Sequence, residues 1–396
     1  MLRIIDIQVK GKSKLAIVIL AYSDYESLEL ALATHAKFST QAGIKIYILQ
    51  NGRGTYDCER TYSVAKRYHN LFPDIIYVID TITPGIPFNS LRTLFNSEKF
   101  LDYDYIIKLD DDVLVLTPDW IDKLCQCYID GKRKYGDKFA YATSLVNNNP
   151  YGFKTIIEKS VELSNEYFSK KARKHYVGNG TNFDPYAPNR LIPKDQIYAG
   201  SNGTIWGYPY IARWMHEKTT LCPEWYIEFS EKFERELVNS KERYSINCML
   251  FEKKLWTNDI STVEPDSTDD EHLLHAYCLK YNAKVMADLS IPMVHLFFFS
   301  QREECRDMID ALRECYTKFL NLEFPITVCN NRIIELENRL RFLEQHNFSK
   351  IGNVAMIPYK KSFFTLVKNG IKCISDHGVV YTWGYFWRRV CHRLFH

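Results

Sequence analysis

Residues 16–20, AIVIL, form a short apolar run rich in β-branched residues. The run gives way to AYSDYESLELALATHAKF, in which Leu28 and Leu32 fall on one helical face. A strand followed by a helix is predicted, with Ser23 and Glu26 as a capping box at the helix start. The alternation then repeats: IKIYILQNG (44–52) and DIIYVID (74–80) read as strands. PFNSLRTLFNSEKFL places Phe88, Leu91 and Phe95 at helical spacing, and YIIKL is the next strand. Strands alternating with helical segments imply βαβ units, hence an α/β domain with a mostly parallel sheet flanked by helices.

After YIIKL come three adjacent aspartates, Asp110, Asp111 and Asp112, and then the extended piece VLVL. Thr117 and Pro118 are predicted as N-cap and first residue of a helix whose apolar positions are Trp120, Ile121, Leu124 and Tyr128. From about 145 to 210 the pattern breaks into Asn, Gly, Pro and Tyr (NNNPYGF, VGNGTNFDPYAPNR, YAGSNGTIWGYPY), which reads as cleft-building loops or as plain surface loops. Two helical segments are predicted over 223–257. A further helix carries Leu273, Leu274, Tyr277, Cys278 and Tyr281 behind the acidic start Asp269, Asp270 and Glu271, and two strands follow, AKVMAD and MVHLFFF. Ile333, Leu336, Leu340 and Leu343 mark a helix too short for a coiled coil.

Composition narrows the class. A chain of 396 residues, 46% hydrophobic and 25% charged, is neither disordered nor fibrous. No stretch approaches the roughly 18 apolar residues of a membrane span, and the first residues do not read as a leader, so a cytoplasmic protein is expected. Eleven scattered cysteines suit reduced thiols, and Cys125 and Cys127, two apart on a helix, make a poor ligand pair.

Charge is uneven. From Lys350 onward there are eight Lys or Arg against the single acid Asp376, so the tail carries +7 and the rest of the chain −4. In the tail Val380, Trp383, Trp387, Val390 and Leu394 recur at helical spacing with Arg389 and Arg393 off the stripe. Such a helix suits the surface of an anionic bilayer, or else docks on the protein's own core. A nucleic-acid partner is not expected, because the body is acidic and no recognised module appears.

The triplet carries the chemistry. In open parallel sheets ligands bind beyond the carboxyl ends of strands, where these aspartates fall. Three carboxylates side by side repel one another unless a cation relieves them, and oxygen ligands suit Mg²⁺ or Mn²⁺ bound together with substrate phosphates. A solvated acidic turn is the plainer alternative.

YIIKLDDDVLVLTPDWIDKL resembles the Asp-x-Asp region of GT-A-fold nucleotide-sugar glycosyltransferases, notably the bacterial family 2-like enzymes. The likeness runs over roughly residues 15–300: AIVILAYSDYESLELALATH is similar to the opening strand and helix, TDDEHLLHAYCLKYNAKV to an acidic pair before a Leu-rich helix, and MVHLFF to a late strand carrying a histidine. It implies a catalytic domain over 1–320, with a nucleotide-binding half (1–145) and an acceptor-binding half (146–320), and a helical C-terminal region over 321–396. It further implies that Asp110 contacts the nucleotide and assists the metal, that Asp112 is the main metal ligand, that Asp111 assists between them, and that His295 adds a metal or diphosphate contact. Asp270, with Asp269 beside it, matches the acids among which inverting members keep their general base.

Other readings stand beside these. Asp269 and Asp270 are favoured at a helix start as caps, whatever their chemistry, although a base there would be held ionised by the helix dipole. His295 alone reads as a core histidine. Tyr22 stacks on the base or packs, and Trp206 and Trp214 stack on acceptor sugars or fill the core. Asn51 stands at the first position of the family's base-reading motif without the expected partner, so uridine is only the common choice. Asn202, in AGSNG, suits a donor-sugar loop, because glycine lets backbone approach a ligand. The expected function is metal-dependent transfer of a sugar from a nucleotide-diphosphate donor to a glycan or lipid-linked acceptor in surface polysaccharide synthesis. An Asp-x-Asp phosphohydrolase, disfavoured because Val113 and Leu114 follow where a Thr is usual, and a non-catalytic glycan-binding protein are the alternatives.

Overall fold

The computed structural model describes residues 8–9, 12–81, 85–168, 209–238, 246–264, 267–297 and 301–321. All belong to one compact unit, Met1–Phe324. Asn202, Trp206, the 333–343 helix and the basic aromatic tail lie outside the described residues.

β1 (Leu15–Ala21) is buried along nearly its whole length and leads into α1 (Tyr25–Phe38). The cap is Asp24, which accepts from Ser27 N at 3.2 Å, so the predicted Ser23 box starts one residue early. β2 (Ile46–Gln50) and β3 (Ile76–Asp80) flank α2 (Tyr56–Leu71), whose mostly polar surface hid it from the apolar pattern. α3 (Pro87–Phe95) precedes β4 (Tyr105–Asp110) and the short β5 (Val113–Val115). α4 spans Trp120–Tyr135 with Asp119 at the cap, not Thr117, because the chain makes one more turn after Pro118 before the helix begins.

β6 (Phe139–Val146) is buried at every position. α5 (Pro150–Lys159), α6 (Val161–Phe168), α7 (Pro209–Lys218) and α8 (Pro223–Ser230) follow. The expectation of two helices over 223–257 is corrected: beyond α8 lie β7 (Arg235–Val238) and β8 (Cys248–Glu252), then a π-helical turn at Leu255–Asp259. CMLFE is a buried apolar run that fills a sheet position covered on both faces. After α9 (Asp270–Tyr281), the two strands predicted from AKVMAD and MVHLFFF are one strand, β9 (Lys284–His295), with a register shift between Asp288 and Pro292. α10 (Ile309–Leu320) closes the described unit.

The main sheet runs β3-β2-β1-β4-β8-β6-β9-β5, and β7 pairs with the first part of β9, Val285–Asp288. Parallel pairing, the expectation for most of the sheet, holds from β3 through β4 and again between β6 and β9. β8 enters antiparallel between β4 and β6. Thus the halves expected at 1–145 and 146–320 share one sheet. α4 packs on β6 and β9, and α1 on β5. Trp214 is fully buried, donates Nε1–H to Glu166 at 2.9 Å and stacks on Tyr167, so it fills the core and does not face an acceptor. Among the described residues no helix is long and apolar enough to cross a membrane.

Helix α5 begins against the end of β6, and Gly152 makes this approach possible: a Cβ there would lie 1.8 Å from the Val146 carbonyl oxygen. Gly152→Ala is expected to lower stability by about 1–3 kcal/mol, since backbone, not a flexible side chain, must move. A urea-denaturation midpoint equal to wild type would remove the packing argument.

Candidate active site

Strand pairing builds the site. β4 ends at Asp110, and antiparallel β8 places Cys248 opposite Leu109, which brings Asn247 to the strand end. Asn247 Nδ2 donates to Asp110 Oδ2 at 2.8 Å. On the other side β5 pairs with β9 so that His295 faces Val113. That register sets His295 Nε2 3.3 Å from Asp112 Oδ1 and lets Phe297 N donate to Asp112 Oδ2 at 3.2 Å.

Side chains two apart on a strand share a face, and Lys108 therefore sits beside Asp110. Its ammonium, 1% exposed, donates to Asp110 and, at 3.1 Å, to the Ile246 carbonyl. Burial opposes its charge, but Asp110 and Asp270 outweigh burial and hold it above its ordinary value. Lys108 was not anticipated, although a charge inside YIIKL was a legible signal.

The three aspartates occupy three environments. Asp110 is partly exposed, whereas Asp111 and Asp112 are buried. Asp111 accepts from Tyr22 N at 3.0 Å, and burial together with the Asp112 charge pushes its carboxyl well above the usual range. Burial also works against the Asp112 anion, yet His295 and Arg302 hold its carboxyl below its ordinary value. His295 responds in kind: burial would lower it, but Asp112 raises it to about 9.

Asp110, Asp112 and His295 each offer a ligand atom within 4.8 Å of the others. Two carboxylate oxygens and one imidazole nitrogen suit Mn²⁺ and accept Mg²⁺. A cation there would also relieve the crowding of buried carboxylates that Asp111 registers.

The acidic pair at α9 separates. Asp269 is the exposed N-cap, accepting from His272 N at 2.9 Å, and it does not line the cleft. Asp270 does. The helix dipole was expected to hold its anion, but burial prevails: with Glu271 and Asp110 adding to it and Lys108 opposing, its carboxyl is pushed up to about 6.

The cleft between these groups has a volume of about 450 Å³. Tyr22, half exposed, stands on its lining. Its ring lies against Gly52, where a Cβ would come within 2.5 Å of it. Asn51 lines the cleft too, its Oδ1 accepting from Ser90 Oγ at 2.6 Å and from Gly85 N at 3.3 Å. Sequence reasoning missed Asn247, Glu271 and Arg302 as lining groups. Arg302, whose Nε lies 3.7 Å from Asp24 Oδ2, comes from the segment after β9, and nothing local in the sequence marks it.

No family model and no curated protein matches the chain. Among solved structures, it is similar to the mannosyltransferase PcManGT of Pyrobaculum calidifontis in complex with GDP-Man and Mn²⁺, with 10% identity, 90% of this chain and 80% of that one covered, and a TM-score of 0.39. It is similar to TarS 1–349 of S. aureus with 10% identity, covering 91% and 80%, at a TM-score of 0.37. It is also similar to glucosyl-3-phosphoglycerate synthase of Mycobacterium tuberculosis in complex with Mn²⁺, UDP and glucosyl-3-phosphoglycerate, with 10% identity, covering 78% and 81%, at a TM-score of 0.33.

Proposed function

We propose that the chain is a metal-dependent GT-A-type glycosyltransferase that moves a sugar from a nucleotide-diphosphate donor, a uridine diphosphate sugar in the first instance, to a glycan or lipid-linked acceptor. The observation that carries this is the grouping of Asp110, Asp112 and His295 at the end of β4, in one cleft with the carboxyl of Asp270. Asp110, Asp112 and His295 would hold Mn²⁺ or Mg²⁺, which when bound supplies charge stabilisation to a departing diphosphate. Tyr22 and Asn51 line the side of the cleft where a nucleoside is expected, with the ring of Tyr22 available to stack. Arg302 adds a second cation for the diphosphate.

Asp270 is the group for accepting the acceptor hydroxyl's proton. A carboxyl poised near pH 6 is largely ionised at neutral pH and still basic enough to take a proton in flight. A base in that position supports a reading of inversion of configuration. The basic aromatic tail supports work at an anionic membrane surface, where lipid-linked acceptors of surface polysaccharide assembly reside.

A thermal-shift series tests the reading: nucleoside diphosphates and their sugars with and without Mn²⁺. A ligand at a hundredfold over its Kd stabilises by about 2.7 kcal/mol, enough for a clear rise in Tm. The rise is expected for one nucleotide and only with the metal; no shift for any nucleotide in Mn²⁺ sinks the proposal.

A further inference from the structure

Asn147, Asn148 and Asn149, which read as loop residues, are each 0% exposed. Asn149 caps α5, donor to none of the site groups, by accepting from Gly152 N at 2.7 Å. The other two face His295. Asn147 Oδ1 accepts from His295 N at 3.0 Å, and its amide donates to Thr219 Oγ1 at 2.8 Å and Thr220 Oγ1 at 2.9 Å. The Asn148 carbonyl lies 3.0 Å from His295 Nδ1. A backbone carbonyl only accepts, so Nδ1 is the nitrogen that donates to it, and Nε2 is the nitrogen that points at Asp112 and would give up its proton to a cation.

A second histidine braces the first. His216 is fully buried and packs edge-on against Phe297, and burial lowers it to about 3, so it is neutral. Its Nδ1 lies 2.8 Å from Thr220 Oγ1, and its Nε2 lies 3.4 Å from the Asn148 amide nitrogen. The Asn148 amide also donates to Gln301 Oε1 at 2.7 Å and to the Leu296 carbonyl at 3.2 Å, on either side of the segment that follows His295.

We infer that Asn147, Asn148 and His216 form a positioning network that presets His295 to present Nε2 to a divalent cation, so that nitrogen ligation depends on Asn147 although Asn147 offers the ion no atom of its own. The inference rests on the metal reading above. Outer groups of this kind contribute roughly 10–100-fold in metal affinity. Removing the Asn147 amide takes the acceptor from His295 N and the donor from Thr219 and Thr220, the residues just past α7 that it ties to β9.

The experiment is titration of the full chain with Mn²⁺ alone, followed by electron paramagnetic resonance, in wild type, Asn147→Ala and Thr220→Val. Free-ion signal reports affinity, and pulsed spectra report nitrogen directly bound to Mn²⁺. Wild type is expected to show nitrogen coupling; Asn147→Ala is expected to bind about 10–100-fold more weakly, with that coupling lost or reduced. Thr220→Val, close in shape, tests the same link should Asn147→Ala fail to fold, and is expected to weaken the coupling in the same direction. Affinity and coupling equal to wild type in whichever variant folds overturns the network. Absence of Mn²⁺ binding in wild type overturns the metal reading instead, so the two failures are distinguishable.

Discussion

Replacing Asp112 with asparagine is expected to lower sugar transfer on the order of a thousandfold while leaving the protein folded. A bound divalent ion contributes several kcal/mol to stabilising a departing diphosphate, and roughly 4 kcal/mol corresponds to about three decades in rate. Asp112 holds the centre of the proposed ligand group, with His295 Nε2 at 3.3 Å and both neighbours within reach. Asparagine has the same shape and keeps an oxygen to accept from Phe297 N. It removes a charge that pushes buried Asp111 upward, so one source of strain falls as the metal site is lost. It also takes from His295 the anion that raises it. Chelator added to wild type should reproduce the defect, and Mn²⁺ added back should restore wild type only. Transfer by Asp112→Asn at the wild-type rate in the presence of chelator would rule the metal mechanism out.

The parts of the fold that read directly from the sequence are those whose local pattern decides their environment. AIVIL, IYILQ and YIIKL are largely apolar runs because the strands they form, β1, β2 and β4, are covered on both faces. FAYATSLV is buried just as completely, but its Ala, Thr and Ser lower the contrast with a loop, and β6 went unread. β8 falls where the spacing predicts helix, because nothing in CMLFE encodes that it enters antiparallel between β4 and β6. That insertion is what delivers Asn247 to Asp110.

The site divides in the same way. Three aspartates in an apolar setting announce themselves, and strand periodicity counted back from Asp110 puts Lys108 on the same face. The asparagine run misled for a physical reason: Asn favours turns when its amide must find local partners, and only the approach of α7 and β9 supplies distant ones. The caps missed by one or two residues lie where Asp24 and Asp119 compete with a neighbouring Ser or Thr for the same position.

Asp270 ties activity to a cost in stability, and both can be measured in one variant. Its carboxyl lies near 6 in the folded protein against an ordinary value of 3.8, so the folded state binds a proton more tightly than the unfolded chain. The sign follows: between about pH 4 and 6 stability falls as pH rises, and above that range the ionised, partly buried group costs on the order of 3 kcal/mol. Asp270→Asn removes this cost. It is therefore expected to be more stable than wild type at pH 7, with little difference at pH 4, in paired denaturation curves. Transfer should move the opposite way, because a positioned general base is worth about 10²–10⁴-fold. Wild-type kcat/KM should fall on the acid side with an apparent pKa at or somewhat below 6, since a cation in the same cleft favours the anion. In the variant that limb should disappear along with the rate. A variant that keeps both the rate and the acid limb would assign the proton to another group; one that loses the rate but gains no stability would show that Lys108 already compensates the buried anion.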